Sequence, residues 1–122
     1  MAIKSQTTKR LSNKVEVTDP KGINTHIRYS IWYTKGEEYT GKPRGFYITV
    51  TPCQVKDGFE IVSAYSGIVS LLLRVQRFNE NKLKEIWKTL HTGVDLDVLK
   101  NIIARVADAA NLQVDLEKLT NE

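Results

Sequence analysis

Very little in this sequence marks an extracellular, metal-bound or membrane-embedded protein. Its 122 residues include one cysteine, Cys53, so no disulfide can form within the chain. The two histidines, His26 and His91, lie far apart, and with a single cysteine they leave a zinc site short of its usual nitrogen and sulfur ligands. No apolar stretch approaches the roughly 20 residues of a membrane span. The longest, Ile68 to Leu73, includes Ser70 and is strand-sized. The opening Met1-Ala-Ile-Lys-Ser-Gln lacks the apolar run of a signal peptide. The expectation is a protein of bacterial or viral cytoplasm with no membrane partner.

Catalytic signatures are missing as well. There is no G-x-S-x-G, no phosphate loop of the form G-x-x-x-x-G-K-[ST], and no H-E-x-x-H or C-x-x-C. Cys53 follows Pro52 near a strand end and reads as a small apolar filler of a sheet; a catalytic dyad with either histidine is the alternative. The carboxylates fall on loops and helix faces without a buried pair. These absences argue for a binder that is not an enzyme and uses no cofactor.

What is present is ordinary globular material: 41% apolar and 26% charged residues, in a chain of single-domain length. The charge is unevenly placed. Residues 1–44 carry nine basic side chains against four acidic ones, while the whole chain is only +4, so the remainder is close to balanced. That asymmetry favours an anionic partner for the front half.

Residues 1–12 are polar, have no apolar period and read as a flexible basic arm, with 13–122 as a single domain. A short strand is expected over Lys14–Thr18, followed by a turn at Asp19-Pro20-Lys21-Gly22. Thr25–Thr34 is the clearest strand: Ile27, Tyr29, Ile31 and Tyr33 share one face, and His26, Arg28, Ser30 and Trp32 the other. Gly45–Thr51 alternates again, Asp57-Gly58 suits a tight hairpin turn, and Phe59–Tyr65 returns as the next strand. Ile68–Arg77 alternates with apolar residues on both faces, which fits a central or interface strand.

The period then changes to helical. Asn79 is placed to cap a helix carrying Leu83, Ile86, Trp87 and Leu90, which Gly93 ends. Asp95 is placed to cap a second, with a stripe from Leu96 to Ala110 that Asn111 closes; Leu112–Leu119 fits a helical turn or a short strand equally. The fold class is therefore α+β: an antiparallel sheet of four or five strands, then two C-terminal helices. The apolar last strand and helix stripes predict a homo-oligomer, a dimer or larger.

The most suggestive constellation is the polar face of the second strand. Arg28 and Trp32 there, Lys42 and Arg44 in the following loop, and Tyr47 on the next strand combine cations with flat aromatics. Single-stranded nucleic acid is held in that way. Arg74 and Arg77, just before the first helix, form a second phosphate-accepting candidate with that helix's free N–H groups. The competing structural account buries Trp32 and pairs Arg28 with a carboxylate.

Two segments, Ile27-Arg28-Tyr29-Ser30-Ile31-Trp32-Tyr33-Thr34-Lys35-Gly36 and Arg44-Gly45-Phe46-Tyr47-Ile48-Thr49-Val50-Thr51-Pro52, give the chain a resemblance to known proteins. With Ala64–Leu73 they make about half of it resemble small uncharacterised proteins of phages and conjugative elements of Gram-positive bacteria. The resemblance implies a mobile-element origin and assigns no functional residue. The order of sheet and helices is similar, in topology alone, to single-stranded DNA binders of the whirly type. Three functions compete. The first is single-stranded nucleic-acid binding. The second is counter-defence by sequestering a small, cyclic nucleotide signal at a subunit interface. The third is inhibition of a host enzyme through exposed apolar helix surface.

Overall fold

The computed structural model describes residues 10–36, 41–62 and 67–120. Six strands and two helices follow one another: β1 (Arg10–Thr18), β2 (His26–Thr34), β3 (Gly45–Lys56), β4 (Phe59–Val62), β5 (Ile68–Arg74), α1 (Glu80–Thr89), α2 (Gly93–Ala110) and β6 (Gln113–Val114), with a 3-10 turn at Leu116–Thr120. The α+β class is therefore established, with two-residue β6 as the added strand. The sheet runs β4-β3-β2-β1-β6, and β5 also pairs with β3. Strand β3 is long enough to hold two partners on one edge: Phe46 to Val50 pair with β5, and Cys53 to Lys56 with β4. Pro52, which has no N–H to give a ladder, sits where that edge passes from one partner to the other.

Register follows the apolar alternation. Ile27 lies opposite Pro52, Tyr29 opposite Val50, Ile31 opposite Ile48 and Tyr33 opposite Phe46, so one face of the sheet is continuous hydrocarbon. Both helices cover that face. Leu83 and Leu90 from α1, and Leu96, Leu99, Ile103 and Val106 from α2, complete a core with Ile27, Ile31, Ile48 and Val50. Both helices present the residues that helical spacing predicts.

One polar chain runs through this core. Tyr29 is fully buried and stacks on Trp87 at 5.4 Å. Its hydroxyl lies 2.7 Å from His91 Nε2 and accepts from Asn13 Nδ2 at 3.3 Å. His91 Nδ1 faces the Trp87 carbonyl at 2.8 Å. A carbonyl only accepts, so Nδ1 carries the proton and Nε2 receives the tyrosine hydroxyl.

The boundaries differ from the expected ones in ways that have physical causes. Strand β1 starts at Arg10, inside the stretch that reads as a flexible arm, because pairing with β2 satisfies its main chain from Arg10 to Glu16. Residues 1–9 and the far end of the fourth strand lie outside the described residues. Asn79 caps α1 as expected, its side chain accepting from the Lys82 N–H at 3.0 Å. The expected end of that helix, Gly93, instead opens α2 with Thr92 as the N-cap; Asp95 lies in the first turn. Asn111 closes α2 in the left-handed conformation. Strand β5 ends at Arg74 and, among the described residues, pairs with β3 alone, as an edge strand does. Leu112–Leu119 holds both a short strand and a 3-10 turn. Among the described residues no helix is long and apolar enough to cross a membrane.

Candidate functional site

The face of the sheet away from the helices carries the polar set of β2. Trp32 and Tyr47 are direct cross-strand neighbours, and their rings stack at 5.1 Å with planes 19° apart. Two hydrogen bonds fix the pair: the Trp32 indole N–H donates to Thr49 Oγ1 at 2.7 Å, and the Tyr47 hydroxyl donates to the Pro43 carbonyl at 2.7 Å. Lys42 Nζ stands 5.5 Å from the Trp32 ring centre and 5.7 Å from that of Tyr47. The Arg10 guanidinium, cross-strand on β1, is 6.0 Å from the indole. Cations over an electron-rich ring face are favourable at these separations. Tyr47 is only 5% exposed and Trp32 is half-buried, so Tyr47 is the floor that sets the plane of the indole.

Arg28 sits on the same face of β2, but its charge is engaged. Its Nη1 donates to Glu60 Oε1 at 2.6 Å, and Lys14, opposite Arg28 on β1, meets Glu60 Oε2 at 2.9 Å. Hydrogen bonds from Lys14 and then Arg28 hold the Glu60 carboxyl below its ordinary range, with burial opposing. Glu60 reaches them from β4 because the Asp57-Gly58 turn, with φ of 53° and 82°, places Glu60 opposite Val55 on this face. Sequence reasoning missed Glu60; the turn and alternation contained the signal, but the partner strands had to be known.

Arg44 and Arg74 come together at the end of β3 and β5. With Pro43, Val75 and Gln76 they line a cleft of about 440 Å³. Arg44 Nη1 and the Tyr33 hydroxyl both donate to the Gln76 carbonyl, each at 3.2 Å. Gly45 lies opposite Arg74, and a Cβ there would run into the Leu73 carbonyl, so this junction requires glycine. Arg77 is exposed two residues before the α1 cap. The Asn79 side chain already takes the Lys82 amide, and Glu80 pairs with Lys84 at 3.7 Å, so the α1 N-terminus holds its own acceptors.

The structure thus gathers Trp32, Lys42 and Tyr47 into one cluster, joined by Arg10, and sets Arg44 and Arg74 at the same end of the sheet. It leaves Arg28 in an ion-pair network and Arg77 apart. His26 and Cys53 are cross-strand neighbours, yet the thiol is fully buried and burial raises its pKa, which disfavours the reactive thiolate. His26 Nδ1 is instead hydrogen-bonded to the Thr25 hydroxyl at 2.7 Å. Among the described residues no group of three or more His, Cys, Asp or Glu converges as a metal site. No protein-family model, curated protein or solved structure matches the chain.

Proposed function

We propose that this chain is a non-enzymatic phage or mobile-element protein that binds single-stranded nucleic acid in the cytoplasm of a bacterial host. The observation that carries the reading is the Trp32–Tyr47 stack with Lys42 and Arg10 beside it, at the same end of the sheet as the cleft lined by Arg44 and Arg74. A single strand offers unstacked bases and regularly spaced phosphates, and this end of the sheet offers a fixed aromatic plane and several cations. In this account a base stacks on the indole. Arg10, at the outer limit of contact with the ring, swings to a phosphate, and Lys42, Arg44 and Arg74 take the phosphates that follow. Arg28 belongs to the frame, because a phosphate there must compete with Glu60.

The direct test is anisotropy of a labelled single-stranded oligonucleotide with the parent protein and with Trp32→Ala and Lys42→Ala. Loss of affinity in both variants supports the reading. Parent binding that neither substitution changes removes this surface from the site.

The cleft of about 440 Å³ beside Arg44 and Arg74 favours a second reading, capture of a small nucleotide signal, since its volume lies in the range of small-molecule sites. Calorimetry with cyclic dinucleotides separates the two. A stoichiometric heat with shallow salt dependence, which single-stranded DNA competes poorly against, favours the nucleotide.

A further inference from the structure

Nine large apolar side chains are well exposed among the described residues, and their placement is not random. Ile23 stands apart; Phe59, Ile61 and Val62 lie on β4, Val69, Leu71 and Leu73 on β5, and Val94 and Val98 on the first turns of α2. Six of the nine therefore lie on the two strands that share one edge of β3. Val98 and Leu73 share an apolar groove of about 240 Å³ with Leu72, Ile86 and Leu90, which ties α2 to the β5 edge.

Among the described residues no strand pairs with the outer edge of β5. From Ile68 to Leu73 that edge has no charge and no proline, the usual devices that keep an edge from pairing. The opposite side of the sheet differs: β1 carries Lys14 and Glu16, both exposed. The one irregularity of β5, a bulge beside Phe46, lies near its end and leaves Ile68 to Leu71 in regular register with β3.

We infer that β5 pairs antiparallel with β5 of a second copy of this chain, joining two sheets across a two-fold axis. Three observations select a second copy as the occupant. An antiparallel edge is self-complementary under a two-fold, so no second surface has to be found. A single added peptide strand would satisfy the edge but leave Val94 and Val98 uncovered in the helix layer, whereas a second copy brings its own α2 to that layer. The five exposed side chains of β5 and α2 present on the order of 400 Å² of apolar surface. That is about the apolar share of the ~800 Å² each partner contributes to a standard interface, the main-chain edge and polar rim making up the rest.

The register is also defined. Directly opposed residues of an antiparallel pair point to the same face, so a two-fold must pass through a residue facing itself. Full overlap of the seven-residue strand makes that residue Leu71, which lies opposite Tyr47 of β3 on the face away from the helices, as Val69 does opposite Thr49.

The test is light scattering after size exclusion at micromolar concentration, together with a cross-link. The parent chain is expected at about twice the 13.9 kDa of one copy. Leu71→Lys sets two like charges face to face and is expected to run as a monomer with an unchanged circular dichroism spectrum. Leu71→Cys is expected to form an intermolecular disulfide under mild oxidant, since opposed strand residues lie within bridging distance and Cys53 is buried. Ile61→Cys, on β4, is the control expected not to cross-link. A monomeric parent protein overturns the inference. A dimer that survives Leu71→Lys, or that cross-links through Ile61→Cys and not Leu71→Cys, overturns it too by placing the contact elsewhere.

Discussion

Replacing Glu60 with glutamine removes one negative charge from between two cations while keeping the shape of the side chain. The side chains of Glu60 and Arg28 are 27% and 24% exposed, and that of Lys14 is 40% exposed. That degree of screening puts the network at the upper end of the range for exposed ion pairs, about 1 kcal/mol, and well below the 3–5 kcal/mol of a broken buried pair. For a domain of this size about 1 kcal/mol corresponds to a fall in Tm of roughly 4 °C. The pH dependence identifies the cause. Because folding lowers the Glu60 pKa, its contribution is complete above the ordinary value of 4.5 and is lost as pH falls through the folded value. The stability gap between parent and Glu60→Gln is therefore expected at pH 7 and should close on acidification. Urea titrations at pH 7 and at a series of acid pH values measure it. A gap that stays constant with pH would trace the loss to packing, and no gap at all would refute the network's role. Freed of Glu60, Lys14 and Arg28 become available to phosphate, so the same variant is expected to bind single-stranded DNA more tightly, with the salt slope steeper by about 0.7 per added contact.

Trp32→Ala is expected to weaken oligonucleotide binding by about 1–3 kcal/mol, measured by anisotropy, with a smaller effect on the urea midpoint. Tyr29→Phe removes the hydroxyl between His91 and Asn13 and should lower stability by about 1–3 kcal/mol, because His91 Nε2 loses its donor. Gly67→Ala drives a Cβ into the Thr51 methyl group and the Val50 carbonyl, for a loss of about 1–3 kcal/mol. Adding Thr51→Ser, which removes that methyl, should recover part of the loss in a double-mutant cycle.

Much of this architecture is legible in the chain because it is local. The alternation from Ile27 to Tyr33 and from Phe46 to Val50 gives the core face of β2 and β3 and places Trp32 beside Tyr47. Asp57-Gly58 specifies its turn through two positive φ angles. Spacing in the helices yields their buried faces, and Asn79 yields its cap. What is not legible depends on contacts distant in sequence. Alternation cannot tell an edge from a centre, so β5 reads as a covered strand while its Val69 and Leu71 are exposed. The Arg28–Glu60 pair joins residues 32 apart across an intervening strand. The start of α2 is not legible because Asp95 is the better cap by type, whereas Thr92, the observed N-cap, has the extended backbone and makes no side-chain capping bond. At the candidate site the residue types point to a cation–aromatic surface, but only the structure separates the half-buried Trp32 from the buried Tyr47 stacked against it.

The most direct test of the central claim is the affinity of the parent protein for a labelled single-stranded oligonucleotide as salt is raised. If Arg10, Lys42, Arg44 and Arg74 each neutralise a phosphate, the logarithm of the binding constant should fall against the logarithm of salt with a slope near −3, about −0.7 per contact. Binding that is absent at low salt, or present with a slope near zero, would contradict the account.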